Sequence, residues 1–181
     1  MELKEIQKTR QHIYKGMVFD LYHDTVTLPD GNEAGRDCVY HNGGAAVVAL
    51  TNEDEILFVK QFRYVCGEET LELPAGKLDS KDEDPTKAAI RELKEETGAV
   101  AKHFVKIGEC YSTPGFCNER IHLYFAKELS FGEQQLDEEE FLNVVKIPKD
   151  DAVRMAKEGK FKDLKTLAGI LYFAAFENGE Q

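Results

Sequence analysis

The chain has no tryptophan, only five prolines and only four cysteines in 181 residues. No apolar run approaches the roughly 18 residues that a membrane-spanning helix needs, so a membrane is not an expected partner. The first ten residues are polar and charged and carry no apolar signal core, which makes a cytoplasmic location the expectation. Cys38, Cys66, Cys110 and Cys117 show no CxxC spacing. Reduced and mostly buried thiols are therefore expected rather than a zinc site or a disulfide framework. Positive charge is also scarce: 23 Lys and Arg stand against 34 Asp and Glu, a net charge of -11. Such a surface repels nucleic acid and anionic membrane. It leaves open an anionic small substrate, because bound metal ions can invert the local charge.

What is present is an ordinary globular composition, 42% hydrophobic and 31% charged, with room for one domain and a real core. No repeat, linker or low-complexity tract interrupts it. Strands are expected within residues 12–28, and Pro29-Asp30-Gly31-Asn32 has the residues of a turn. Residues 35–40 return as a strand, completing an N-terminal antiparallel element over 1–42. Residues 45–50 form a continuous apolar run, expected as a buried strand, and strands are expected at 56–62 and 69–73. Residues 85–97 predict a helix, with Asp84 as its N-cap, Pro85 at its first position and Gly98 just past its end. Strands follow at 105–111, 121–128 and 143–147, then helices at 149–158 and 164–176. In the last helix Leu164, Leu167, Ala168, Leu171 and Ala175 recur at helical spacing, a stripe for core or dimer packing. The sum is an α+β fold, with helices on a mixed sheet.

The informative segment is Arg91-Glu92-Leu93-Lys94-Glu95-Glu96-Thr97-Gly98. At about 100° per residue, Glu96 falls about 40° from Glu92 and Glu95 about 60° on the other side, so three carboxylates share one face. Ala89, Ile90, Leu93 and Thr97 fall on an adjoining apolar face. Three clustered carboxylates repel one another. On a bare helix, solvent absorbs that cost and the pattern means little. Divalent cations offer another resolution, because hard cations take oxygen ligands from a few carboxylates and complete their shell with water and phosphate.

The surroundings favour the second resolution. Gly76, Glu83, Arg91, Glu92, Leu93, Glu95, Glu96 and Gly98, with Ala99 at the last apolar place, resemble the Nudix box. One departure is the loop between Gly76 and Glu83, which holds six residues where five are usual. Loops accept such an insertion, although Asp82 then competes with Glu83 for the glutamate position. The resemblance implies a Nudix fold, an α/β/α sandwich, over residues 43–181. It implies metal ligation by Glu92 and Glu96, with help from Glu95 and from the backbone carbonyl of Ala75. Arg91 and Glu83 are expected as a supporting ion pair. Two or three Mg²⁺, or Mn²⁺ in their place, are the implied cofactors.

Flanking segments resemble the ADP-ribose pyrophosphatase branch of that family. Val59-Lys60-Gln61-Phe62-Arg63-Tyr64 offers Arg63 for a phosphate, since guanidinium forms bidentate charged hydrogen bonds. Glu72-Leu73-Pro74-Ala75-Gly76 would bring Glu72 near the metals. Ser112-Thr113-Pro114-Gly115-Phe116, followed by Glu119, resembles the branch's proline-bearing substrate loop. Asp137-Glu138-Glu139-Glu140 resembles its acidic catalytic loop, in which Glu139, then Glu138, is the expected acting residue. The N-terminal strands resemble a region that in the branch builds a two-fold dimer and contacts adenine, with Phe19 and Arg36 as candidates. The resemblance implies hydrolysis of ADP-ribose to AMP and ribose 5-phosphate by a homodimer. Another nucleoside diphosphate sugar, such as GDP-mannose, or non-catalytic sensing of ADP-ribose are the alternatives.

Overall fold

The computed structural model of the chain describes residues 2–179, with side chains to residue 177. Its elements in chain order are β1 (Ile6–Lys15), β2 (Asp20–Thr27), β3 (Glu33–Tyr40), β4 (Gly44–Ala49), β5 (Glu55–Arg63), β6 (Glu68–Glu72) and β7 (Ala75–Lys77). After these come α1 (Pro85–Thr97), β8 (Ala99–Tyr111), β9 (Arg120–Phe131), β10 (Leu142–Pro148), α2 (Lys149–Lys157) and α3 (Leu164–Gly179). The contacts divide the chain into two compact units. One is Met1–Gly43 with Tyr111–Arg120, and the other is Gly44–Cys110 with Ile121–Gln181.

The first unit is the antiparallel sheet β1-β2-β3. Its first strand starts at Ile6, earlier than the apolar residues suggest, and is exposed along its whole length. Its interior is polar as well as apolar. Asp24, almost fully buried, takes bidentate hydrogen bonds from Arg10 at 2.9 and 2.6 Å, and the Arg10 guanidinium lies over the rings of Tyr22 and Tyr40. Residues 111–120 join this unit through backbone bonds to β3. Val39 N donates to Phe116 O at 2.8 Å and Asn118 N to Val39 O at 3.2 Å.

The second unit holds two sheets, β7-β4-β9-β8 and β10-β5-β6. Strand β4 pairs in parallel with β9 and antiparallel with β7, so its sheet is mixed. All six residues of β4 are buried, and they alternate between two cores. Ala46 and Val48 pack in a cluster with Ala152 and Ala156 of α2 and Ile170 and Phe173 of α3. Ala45, Val47 and Ala49 pack in another with Ala88, Ala89 and Leu93 of α1. A strand buried on both faces reads as an unbroken apolar run, and helices on both sides make the expected α/β/α sandwich.

Helix α1 has the termini its sequence predicts. Asp84 accepts from Thr86 N at 2.9 Å, Pro85 stands in the first turn, and Gly98 is left-handed at φ 69° with its N–H bonded to Lys94 O. Its buried face differs from the helical-wheel expectation, because Ile90 is 47% exposed while Glu92 and Glu96 are buried. In α3 the expected stripe holds in part. Leu167 and Ala168 pack half-buried against the core, Leu164, Leu171 and Ala175 are exposed, and the buried residues are Thr166, Gly169, Ile170 and Phe173. Nor are the thiols mostly buried: Cys66 is exposed and Cys38, Cys110 and Cys117 are half-buried, all four free.

Candidate active site

Strand β7 and helix α1 meet at Gly76 and Glu92. A β-carbon on Gly76 would lie 2.0 Å from the carboxyl carbon of Glu92, so only glycine lets that carboxylate occupy its position. One turn further along, Glu96 is 3% exposed, and its Oε2 accepts from Ala75 N at 2.8 Å. Burial and the neighbouring charges of Glu92 and Glu140 push its carboxyl up to about 8, against the partial relief of the Ala75 hydrogen bond. Burial also raises Glu92, partly offset by Arg91. Glu95, on the outer side of the same face, is half-exposed.

Arg91 organises this group. Its Nη1 donates to Glu92 Oε1 at 2.7 Å and to Glu95 Oε2 at 3.2 Å. Its Nη2 lies 3.6 Å from Glu83 Oε1. Glu83 in turn accepts from Asp79 N at 2.6 Å, so the loop with the extra residue is tied back onto Glu83. Among the described residues no three carboxylate, imidazole or thiol groups already converge on one point. Arg91 instead satisfies two of the three carboxylates. The donor set is entirely oxygen, and two of its carboxylates are buried. Such a set suits a hard divalent cation.

The segment before the acidic loop is anchored to the same helix. Gly132 N donates to Gly98 O, Gln135 N to Glu95 O, and Gln134 Nε2 to Glu96 O at 2.5 Å. Glu138, Glu139 and Glu140 are all exposed. The charge of Glu140 is felt at both Glu92 and Glu96; the resemblance points to Glu139, then Glu138.

Arg63 and Glu72, assigned separately from sequence, are partners. Arg63 donates to both carboxylate oxygens of Glu72 at 2.7 and 2.6 Å. Glu72 is 2% exposed. Burial alone would raise its carboxyl, but Arg63, Lys165 and Thr70 bring it down to about 2. Lys165 and Thr70 were not legible as site residues. Lys165 is 93 positions from Glu72 and donates to it at 2.5 Å, and no local motif marks it.

The remaining candidates lie in the first unit. Arg36, Pro114, Gly115 and Phe116 line one cavity of about 500 Å³. Arg36 is held there by Glu5 at 3.0 Å and 2.5 Å. Glu119 stands 3.6 Å from His41 Nδ1. Phe19 does not line that cavity; its ring packs at a tilt on Tyr14, 6.3 Å between centroids.

A mixed sheet between α1 and the pair α2 and α3, with buried glutamates of one helix facing a glycine strand, defines a hydrolase domain of the Nudix kind. The NUDIX domain family model matches residues 41–168, and the chain belongs to this family, whose hydrolases generally need a divalent metal. It is 42% identical over 172 residues to an ADP-ribose pyrophosphatase of Bacillus subtilis (strain 168), covering 94% of this chain and 92% of that protein. It is also 42% identical to a methanol dehydrogenase activator of Bacillus methanolicus, covering 91% and 89% of the two chains. A GDP-mannose pyrophosphatase of Yersinia enterocolitica is 33% identical over 93% of this chain and 94% of its own. A crystal structure of an ADP compounds hydrolase shares the fold at TM-score 0.85, covering 99% and 98% of the chains at 17% identity.

Proposed function

We propose that this chain hydrolyses the pyrophosphate bond of ADP-ribose, giving AMP and ribose 5-phosphate. The observation that carries the chemistry is the pair of buried carboxylates one turn apart, Glu92 against Gly76 and Glu96 bonded to Ala75 N. The substrate rests on the Bacillus subtilis relative, similar over nearly its whole length. Two or three Mg²⁺, or Mn²⁺, would be held by Glu92, Glu96, Glu95 and the carbonyl of Ala75. When bound, such ions offset charge on the diphosphate and lower the pKa of a water. Arg91 and Glu83 orient the helix that bears the ligands. Arg63 takes a substrate phosphate. A carboxylate of the 137–140 loop receives the proton of the attacking water. Glu140 is the first candidate by its field at Glu92 and Glu96, ahead of the sequence-favoured Glu139 and Glu138.

The first unit fits a supporting role. Arg36, with Pro114, Gly115 and Phe116, lines a cavity that also carries Tyr40 and Tyr111, which fits a nucleobase, with Glu119 and Phe19 as secondary candidates. The exposed strand β1 fits a homodimer contact, with residues 1–42 as the dimerising element and 43–181 as the hydrolase domain. A cytoplasmic setting is part of this reading.

The similarity to a GDP-mannose pyrophosphatase favours one second reading, the same chemistry on another nucleoside diphosphate sugar. Hydrolysis of ADP-ribose, GDP-mannose, UDP-glucose and NADH with Mg²⁺ separates the two. ADP-ribose is expected to show the largest kcat/KM and to yield AMP. Preference for GDP-mannose would move the assignment to the second reading, and binding of ADP-ribose with no turnover would point to a sensor.

A further inference from the structure

Glu72 carries four hydrogen-bond donors, and they divide evenly between its oxygens. Oε1 accepts from Arg63 Nε at 2.7 Å and from Thr70 Oγ1 at 2.5 Å. Oε2 accepts from Arg63 Nη2 at 2.6 Å and from Lys165 Nζ at 2.5 Å. Each oxygen thus has one donor from Arg63 and one from another residue. The two cations differ in freedom. Arg63 ends β5 with its side chain 43% exposed, while that of Lys165 is 17% exposed. Lys165 is further held by Asp163 at 3.0 Å. Asp163 accepts from Thr166 N and Thr166 Oγ1, and Thr166 Oγ1 accepts from Leu73 N at 2.8 Å. The first turn of α3 is therefore bonded to the chain next to Glu72, and Lys165 is fixed where Arg63 is not. Both line a cavity of about 620 Å³ whose rim carries Phe62 and Tyr64.

We propose that Lys165, with Thr70, is a positioning residue that lets Arg63 exchange from Glu72 to the diphosphate of the substrate. A buried carboxylate stripped of its partners is strongly disfavoured. If Arg63 were the only partner of Glu72, it would stay there and the phosphate would lose its bidentate donor. With Lys165 on Oε2 and Thr70 on Oε1, Arg63 can depart and leave each oxygen hydrogen-bonded and a cation still beside the carboxylate, shared with Asp163. Lys165 acts on substrate binding through Arg63, without touching the substrate. This inference rests on the ADP-ribose reading given above.

The test compares wild type, Lys165→Met, Lys165→Arg, Lys165→Gln and Arg63→Ala. Steady-state hydrolysis of ADP-ribose at saturating Mg²⁺ is measured beside calorimetric binding of its α,β-methylene analogue. Lys165→Met is expected to raise KM and the analogue's Kd by about 10- to 100-fold, with a much smaller fall in kcat. Lys165→Arg is expected to restore both. Lys165→Met added to Arg63→Ala is expected to cost little beyond Arg63→Ala alone, because the two act through one contact. Should Lys165→Met not fold, Lys165→Gln keeps a donor to Glu72, removes the charge, and is held to the same thresholds. An unchanged KM and Kd in the folded variant, or additive losses in the double variant, overturn the exchange while the ADP-ribose reading stands. A wild type that neither binds the analogue nor hydrolyses ADP-ribose overturns both.

Discussion

The carboxylate of Glu92 occupies the space that a side chain on Gly76 would need, 2.0 Å from an ideal β-carbon. The glycine of the box is therefore a steric requirement for this position of the Glu92 carboxylate. Gly76→Ala is expected to displace Glu92 and to reduce kcat/KM by about 100-fold or more, the scale seen when a positioned catalytic group is misplaced. Steady-state kinetics and Mg²⁺ titration on the purified variant check this. Wild-type kinetics in that variant would mean that Glu92 is free to stand elsewhere.

Glu96 ties stability to pH in the metal-free protein. Its carboxyl is raised from 4.5 to about 8, first by burial. The folded chain then keeps a proton that the unfolded chain has already lost, so unfolding releases a proton and stability falls as pH rises through this window. Melting in the presence of EDTA is expected to drop between pH 5 and pH 8, by on the order of 2–4 °C for each kcal/mol lost. Mg²⁺ is expected to reverse the drop by binding the folded state. Glu96→Gln is expected to flatten the profile and to reduce hydrolysis by orders of magnitude. A metal-free profile that rises towards pH 8 would contradict the assignment.

Gly98 closes α1 in the left-handed region, and a β-carbon there would approach Gly132 O to 2.4 Å. The chain from Gly132 to Gln135 is bonded back to α1 and leads into the acidic loop. Gly98→Ala is expected to cost about 1–3 kcal/mol of stability. It is also expected to lower kcat, since the loop loses its anchor on α1. Chemical denaturation and kinetics read the two effects separately.

Single glutamine substitutions at Glu138, Glu139 and Glu140 rank the loop carboxylates. Glu140→Gln is expected to show the greatest loss of kcat, about 100-fold or more for a general base. A greater loss at Glu139 would return the role to the residue that the resemblance implies, over Glu140, whose charge acts on Glu92 and Glu96 in this structure.

Much of the site was legible because it lies within one short segment. Asp84, Pro85 and Gly98 mark the ends of α1 by local backbone chemistry, and the structure has them there. The partnership of Arg63 with Glu72 was not legible, although β5 and β6 are neighbours. Each residue alone matched a motif, and the strand register pairs Arg63 with Glu68 and Glu72 with Val59, so the contact depends on the long Arg63 side chain reaching Glu72 in the folded unit. Ile90 was misread because a helical wheel ranks residues by hydropathy and does not say which element covers which face. Here α1 is covered so that Glu92 and Glu96 are buried and Ile90 is not.

By itself the sequence determined which carboxylates share a face, since the angle between residues three and four apart is a property of the helix. It also determined the ends of that helix and the unbroken apolar run of the central strand. Tertiary structure decided the chemical state of those groups. Glu96 is raised because packing removes water from it, and its hydrogen bond comes from Ala75, 21 residues away. Glu72 is lowered, despite its burial, because Arg63 of the neighbouring strand and Lys165, 93 residues away on α3, donate to it. Periodicity encodes direction within one element, whereas desolvation and ion pairing depend on which distant elements pack against it.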